Sequence, residues 1–398
     1  MPFLWGGMHM EKTTNLLIIG AGPYGLAMAA YARHLGVDHM VVGKPMDFWK
    51  VNMPEGMYLR TGSDVQLDPL RIHTIEKLLE VQGRTPADVE PLSLRFYLAY
   101  AQWFQEQTQI DARPVLVQRL DCADGEGGRF RAAIANGQTI SARHVVIAVR
   151  FKYFSHLPRD VVERLPEGRY AHTCDLVDFR HLQGKRCLIV GGHQSAFEWT
   201  ALLNDAGCAA AHVSYRHDSP AFNRPDISWI APMVEAIVDD PGWFRRLPQK
   251  ERDAVIDRFW AVGRLKIEPW LESRVMKETV TLWPKTRIAA VRESRDALSV
   301  RLDNVSTFPV DAIILATSYR VQIDRVPFLA RGNILDRLLT HDGFPKLDEH
   351  FQTNIPRRFI TSLPATQDFG PFFGFTYGVG ASAKLIGRAI AGRQSNLT

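Results

Sequence analysis

The chain has only four cysteines in 398 residues, and no two of them stand close together. Cys122, Cys174, Cys187 and Cys208 form neither a C-x-x-C nor a C-x-x-x-x-C pair. Those are the spacings at which a dithiol and a disulfide interconvert beside a redox ring, so a thiol relay is excluded. Isolated thiols suit a reducing compartment, which sets a cytoplasmic expectation. No uncharged apolar stretch reaches about 18 residues, so no membrane span is expected. The opening Met1 to Met10 is apolar but lacks the cationic start and small-residue cleavage site of a secretory signal. No Lys/Arg run exceeds two residues, and the net charge is +5. That balance suits anionic cofactors and gives no reason to expect nucleic acid. Nor does the sequence offer a nucleophile with a base, an acid–base dyad or a metal-ligand pattern.

What the chain does have is a glycine turn in the right context. Residues 15–19 are an apolar strand pattern, and Gly20, Gly22 and Gly25 follow at G-x-G-x-x-G spacing. A helical run, Leu26 to Ala32, then leads to a second strand at His39 to Val42. In such a unit the first glycine permits the turn, the second admits a pyrophosphate and the third lets helix and strand touch. The phosphate rests on the helix N-terminus. A carboxylate should end the second strand and hold the ribose. Gly43 stands there instead, followed by Lys44, while Asp38 lies at the wrong end of the strand.

The pattern then repeats. Arg186 to Val190 reads as a strand, residues 191–196 (Gly-Gly-His-Gln-Ser-Ala) as a turn, Phe197 to Ala206 as a helix and His212 to Tyr215 as a strand. His193 occupies the usual place of the second glycine. Arg216 and His217 stand where an NAD site carries an acid, and a cation there accommodates a 2′-phosphate, favouring NADPH. Between the two units lie an aromatic, Met-rich loop at 46–60, an amphipathic helix at 91–107, a strand meander at 113–148 and a connection at 151–183. After them comes a Trp- and Phe-rich insertion at 219–275, then further strands. Residues 311–319 are read as a return to the first unit, and a final helix covers about 380–391.

At this length two domains are expected. The fold class is α/β, with two Rossmann-like units of the three-layer ββα type. We assign residues 1–182 and 306–398 to an FAD-binding domain. Residues 183–305 form an NADPH-binding domain carrying the helical insertion.

Together the paired glycine turns, the Ala316-Thr317-Ser318-Tyr319 strand and the C-terminal glycine-rich helix resemble the class B flavin-dependent monooxygenases. The lysine and ornithine N-hydroxylase branch is most similar, through Pro54-Glu55-Gly56-Met57 and the turn residues Gly191, Gln194, Ser195 and Ala196. Flavin-dependent urate hydroxylases are a further resemblance. Departures are Ala148-Val149-Arg150 in place of A-T-G, and Pro166 in place of Phe in the F-x-G-x-x-x-H signature, of which Gly168 and His172 remain. The resemblance implies a glutathione-reductase-like arrangement of the two units. It also implies FAD and NADPH as cofactors, a C4a-hydroperoxyflavin, and transfer of one atom of molecular oxygen to a small amine or heteroaromatic substrate by N- or C-hydroxylation. A homo-oligomer is the state common among such relatives.

On this reading Gly20, Gly22, Pro23, Tyr24 and Gly25 meet the FAD pyrophosphate, and Trp49 and Met57 pack near the flavin. Gly191, Gln194 and Ser195 meet the NADPH pyrophosphate, Arg216 the 2′-phosphate, and Thr317 and Tyr319 approach the flavin from the returning strand. Asn52 and His172 are the candidates beside the reacting centre. Two alternatives stay open: an NADPH-dependent flavin reductase or oxidase that hydroxylates nothing, and a non-catalytic flavin-binding protein.

Overall fold

The computed structural model describes residues 11–123, 128–149, 151–218, 220–224, 226–263, 266–294 and 297–392. Arg150 and most of the glycine-rich turn at 124–128 lie outside these residues.

The first unit opens with β1 (Glu11–Ile19), α1 (Pro23–His34) and β2 (His39–Val42). β1 has a parallel neighbour on each side. Leu16 pairs with His39 of β2 and with His144 in the long strand Thr139–Ile147. A strand flanked and covered on both faces is apolar throughout rather than alternating, and Leu16, Leu17 and Ile18 are fully buried. α1 begins at Pro23, where a missing N–H costs no helix bond. Its residues from Pro23 to Ala32 are buried. It packs on the last helix, Val379–Gly392, so closely that a β-carbon on Gly387 would lie 2.5 Å from the Tyr31 ring. Short strand β3 (Ala112–Arg113) flanks β2, and β4 (Val117–Cys122), β5 (Phe130–Ile134) and β6 (Thr139–Ile147) form the expected meander. The terminal part of β6 also pairs with Arg358–Ile360, which closes the sheet.

The second sheet is parallel throughout. It runs Val280–Trp283, β9 (Ala210–Ser214), β8 (Arg186–Val190), Ala312–Leu315 and β7 (Tyr170–His172). Two expectations change here. Residues 312–315 do not return to the first unit: Ala312 pairs with Cys187, and Ile313 with Leu188 and Tyr170. A buried parallel strand has the same apolar pattern in either sheet, so the sequence does not say which one it joins. Residues 151–183 are likewise not connection alone, since they supply edge strand β7. A three-stranded antiparallel layer, Ile288–Glu293, Leu298–Leu302 and Thr307–Val310, covers one face through Leu188, Ile313 and Leu315. It is the expected third layer.

The insertion contains helices Ile230–Ala236, Trp243–Arg246 and Gln249–Gly263, closed off by the pair Ala221–Phe222 and Lys266–Ile267. Its apolar side chains Ile230, Val234, Ile237 and Phe259 join the core of the first unit, not that of the second. Phe259 lies 5.8 Å from Phe372 and 5.3 Å from Phe375, and Trp229 lies 5.9 Å from Phe372. The helical middle of the insertion is thus covalently part of one unit and packed on the other, while its end, through Ile267, Leu271 and Val275, stays in the core of the second. Among the described residues, no helix is long and apolar enough to cross a membrane.

Candidate functional site

The first glycine turn divides its work. Gly20 has φ 114°, and a β-carbon there would lie 2.0 Å from the carbonyl oxygen of Ala148 at the end of β6. A β-carbon on Gly25 would lie 1.8 Å from the Gly20 oxygen. Both glycines are demanded by backbones in contact. Gly22 differs: nothing lies within 4 Å of its β-carbon position. It caps α1 without a side chain and opens onto free space above the helix N-terminus, where unpaired N–H groups suit an anion.

Gly43 explains the missing ribose acid. Its φ is 143°, and a β-carbon would meet the Ala21 nitrogen at 3.0 Å and the Gly20 Cα at 3.2 Å. The end of β2 lies against the turn, and no side chain fits there.

The second turn is built on the same plan with one change. Gly191 has φ 148°, and its β-carbon would lie 2.5 Å from the Ala316 oxygen. At Gly192 a β-carbon would lie 2.3 Å from His217 Nε2. His217 covers this turn, with Nε2 2.6 Å from the Gly192 oxygen and Nδ1 2.7 Å from the Asp218 oxygen. Its ring stacks 6.0 Å from that of His193, 10° from parallel. Arg216, just beyond β9, is exposed and forms no ion pair among the described residues.

One cleft of about 640 Å³ receives both turns. Its wall includes Gly20, Gly22, Pro23, Tyr24, Trp49, Asn52 and Met57 from the first unit, with Gln194, Ser195 and Tyr319. The structure therefore brings together ten of the residues singled out by sequence. Gly25, Gly191, His172, Arg216 and Thr317 are not on the wall. The two glycines act behind it as spacers. Thr317 instead donates its hydroxyl proton to the His156 carbonyl.

Asn52 is buried beside the cleft. Its Nδ2 donates to the Cys174 carbonyl at 2.8 Å, while its Oδ1 has no hydrogen-bond partner. A buried amide oxygen with no donor is costly, and on a cleft wall it is a ready acceptor for a ligand N–H or O–H. The aromatic loop is partly helical, α2 (Asp47–Val51), and Trp49 stacks obliquely on Tyr97 at 4.9 Å. The Tyr24 hydroxyl lies 2.6 Å from the carbonyl oxygens of both Phe373 and Phe375. That contact fixes the start of α1 to the C-terminal aromatic segment, and burial holds the phenol well above its ordinary pKa.

His172 stands behind the wall. Its Nδ1 accepts the Cys174 N–H at 3.2 Å and its Nε2 donates to the Ser318 carbonyl at 3.0 Å. Burial pushes its pKa down, so the ring is neutral and both nitrogens are used. Its ring edge meets Tyr319 at 5.3 Å. It supports Tyr319 rather than facing a ligand. His172, Cys174 and Asp175 also bring donor atoms within 4.8 Å of one another, but Asp175 is paired with Lys152 at 3.0 Å.

Among the wall residues that were not singled out from the sequence are Arg60 and Glu198. Glu198 is the one acid in the apolar stretch 196–203 of the second unit's first helix. That oddity was the available signal. Beyond them the cleft is apolar, lined by Met53, Ile227, Ile230, Phe259 and Phe375.

Two sheets with parallel centres, each opening on a glycine turn that faces one shared cleft, define an oxidoreductase with two dinucleotide folds. The chain belongs to the pyridine nucleotide-disulphide oxidoreductase family, whose pattern matches residues 14–360. It is similar to the FAD-dependent urate hydroxylase of Xanthomonas campestris pv. campestris, with 30% identity over 123 residues, 30% of this chain and 26% of that protein. It is also similar to the ferredoxin–NADP reductase of Burkholderia vietnamiensis, with 28% identity over 227 residues, 56% of each. The chain thus spans about half, or less, of the length of these curated relatives. Among solved structures, the ornithine N-hydroxylase of Kutzneria sp. 744, with reduced FAD, NADP⁺ and L-ornithine, superposes with a TM-score of 0.78 at 15% identity. The match covers 96% of this chain and all of that one. The shared fold is therefore complete, insertion included.

Proposed function

We propose that the protein is an FAD-dependent, NADPH-consuming monooxygenase that places one atom of molecular oxygen on a small organic substrate. The observation that carries this reading is the shared cleft: both phosphate-binding turns open into one cavity, and no redox-spaced cysteines stand between them. The residues fit FAD. Gly22 leaves an open cradle at a helix N-terminus, and Asn52 Oδ1 waits for a donor. When bound, FAD supplies acceptance of a hydride from NADPH and reaction with oxygen.

The chain's own part is binding, orientation and exclusion of water. Gly20 and Gly22 hold the first pyrophosphate, and Gln194 and Ser195 the second, with Gly191 as the spacer behind them. Arg216 meets the 2′-phosphate. Trp49, Met57 and Tyr319 wall the ring system, and Asn52 holds a proton donor in place by its Oδ1. The insertion residues Ile230 and Phe259 keep the far end of the cleft dry, which protects a reactive site from hydrolysis. That apolar end suits a substrate with a flat or hydrocarbon body.

The test is stoichiometry under ¹⁸O₂ with NADPH and candidate substrates, urate and L-ornithine among them. One labelled oxygen atom in product per NADPH supports the reading. The Burkholderia vietnamiensis ferredoxin–NADP reductase matches a longer part of the chain than the urate hydroxylase does, and this favours a second reading, a reductase. Electron delivery to an external acceptor, with unlabelled organic compounds and no substrate-stimulated NADPH use, would establish that reading instead.

A further inference from the structure

Glu198 is only 2% exposed, yet it lies on the cleft wall one turn inside the helix that follows the second glycine turn. Its Oε1 accepts the backbone N–H of Tyr58 at 3.1 Å, and its Oε2 accepts from Gln194 Nε2 at 3.1 Å. Gln194 Oε1 in turn accepts the backbone N–H of Glu268 at 3.1 Å. The Glu268 carboxylate pairs with Arg60 Nε at 3.2 Å, and Arg60 lies two residues from Tyr58. The contacts close a ring through three segments: the flavin-side loop, the nucleotide turn and the end of the insertion.

Only a carboxylate satisfies this ring. Glu198 receives two N–H donors, one on each oxygen. A protonated Glu198 carries an O–H on one oxygen, which accepts more weakly than a carboxylate oxygen and loosens the N–H contact made there. Gln194 cannot rescue the contact by flipping, because its nitrogen would then face the Glu268 N–H. The nearby cations do not hold Glu198 directly. Arg60 is paired with Glu268, and Arg274 with Asp205. Tyr58 faces it by its backbone only.

We propose that Glu198 is a positioning residue for the nicotinamide dinucleotide: as a carboxylate it holds Gln194 and the Tyr58 loop in register, and on taking a proton from solvent it loosens its hold on one of them and weakens NADP⁺ binding. This rests on the reading of the second turn as the NADPH site. Burial pushes the Glu198 carboxyl up to about 7, partly offset by the two N–H donors and by Arg274 and Arg60. The loosening therefore falls in the physiological range.

The experiment is NADP⁺ binding to the oxidised holoenzyme by calorimetry, from about pH 8 to about pH 6, with thermal melts from about pH 8 down to about pH 4.5. In the wild type, Kd rises about tenfold on acidification. In Glu198→Gln the Kd is flat with pH and sits at the acid value. His193 and His217 lie beside the same turn, so the difference between the two proteins is the readout. The melts give a readout independent of nucleotide. A raised carboxyl pKa means that the folded wild type loses stability as pH rises from about 4.5 to about 7. The Tm of Glu198→Gln relative to wild type should then climb over that interval. If Glu198→Gln does not fold, Gln194→Leu must give the same flat, weak binding. A wild-type pH step retained in the variant overturns the proposal. NADP⁺ failing to bind at any pH overturns the nucleotide assignment itself, and the proposal with it.

Discussion

Gly25 rests directly on Gly20: a β-carbon at the first would lie 1.8 Å from the carbonyl oxygen of the second. A β-carbon on Gly22, between them, would meet nothing within 4 Å. The three glycines of one fingerprint thus predict different phenotypes. Gly25→Ala forces helix and strand apart and should destabilise the fold by at least about 1–3 kcal/mol, the usual cost of overpacking. Gly22→Ala should leave apoprotein stability within about 0.5 kcal/mol and lower FAD affinity about tenfold. Denaturant melts and FAD titration of both variants check this. Equal loss of stability in the two would contradict the division of roles.

Nucleotide choice should follow Arg216. Arg216→Ala is expected to raise the KM for NADPH about tenfold, near 1.4 kcal/mol, and to leave that for NADH unchanged. His217→Ala acts on the turn rather than on the 2′-phosphate, because His217 covers Gly192. It should alter both KM values together. Steady-state kinetics with the two nucleotides separates the residues, and equal effects of Arg216→Ala on both would remove its assignment.

Asn52→Ala should uncouple the reaction. The loss of the Nδ2 bond to Cys174 costs about 1 kcal/mol of stability. The loss of Oδ1 removes an acceptor from the cleft. NADPH oxidation should persist while peroxide release rises at the expense of product. An unchanged ratio of product to NADPH would place Asn52 outside the reacting centre.

His172 sets a pH dependence of stability. Burial depresses its folded pKa below the ordinary 6.5. Its stabilising contribution is therefore complete above about 6.5 and is lost as pH falls toward the folded value. His172→Gln can reproduce both hydrogen bonds, accepting from Cys174 and donating to Ser318. It should flatten the decline of Tm on acidification while leaving activity near neutral pH largely intact. An unaltered acid limb would show that other groups carry it.

Much of this was readable before any coordinates. The apolar runs before Gly20 and Gly191 are legible because parallel buried strands are apolar throughout, and the glycines mark where backbones cross. The cleft residues Trp49, Asn52 and Met57 were legible through the loop pattern. What the sequence hid is tertiary. Ala312–Leu315 joins the second sheet, although nothing in its pattern names that partner. The helical middle of the insertion packs on the unit it does not follow in the chain. His172 had the residue type of a proton carrier, but its two hydrogen bonds make it a brace. Glu198 left only a faint signal, one acid in an apolar stretch, because a single acid in a helix is ordinarily a solvated one.

The chain passes between the two sheets at two points, and these passages are joined. Ser155 bridges Tyr319 in antiparallel fashion, His156 donates its N–H to Ser318 at 3.0 Å, and Arg320 donates to Phe154 at 2.7 Å. Mechanically this is a strap, not a pair of loose tethers. A two-stranded ribbon bends across its flat face and resists shear in its plane, so the units are left one soft direction of travel, a hinge-like opening. Ser318 and Tyr319 lie both in that strap and on the cleft wall. Any such opening must therefore pass through residues that line the cleft.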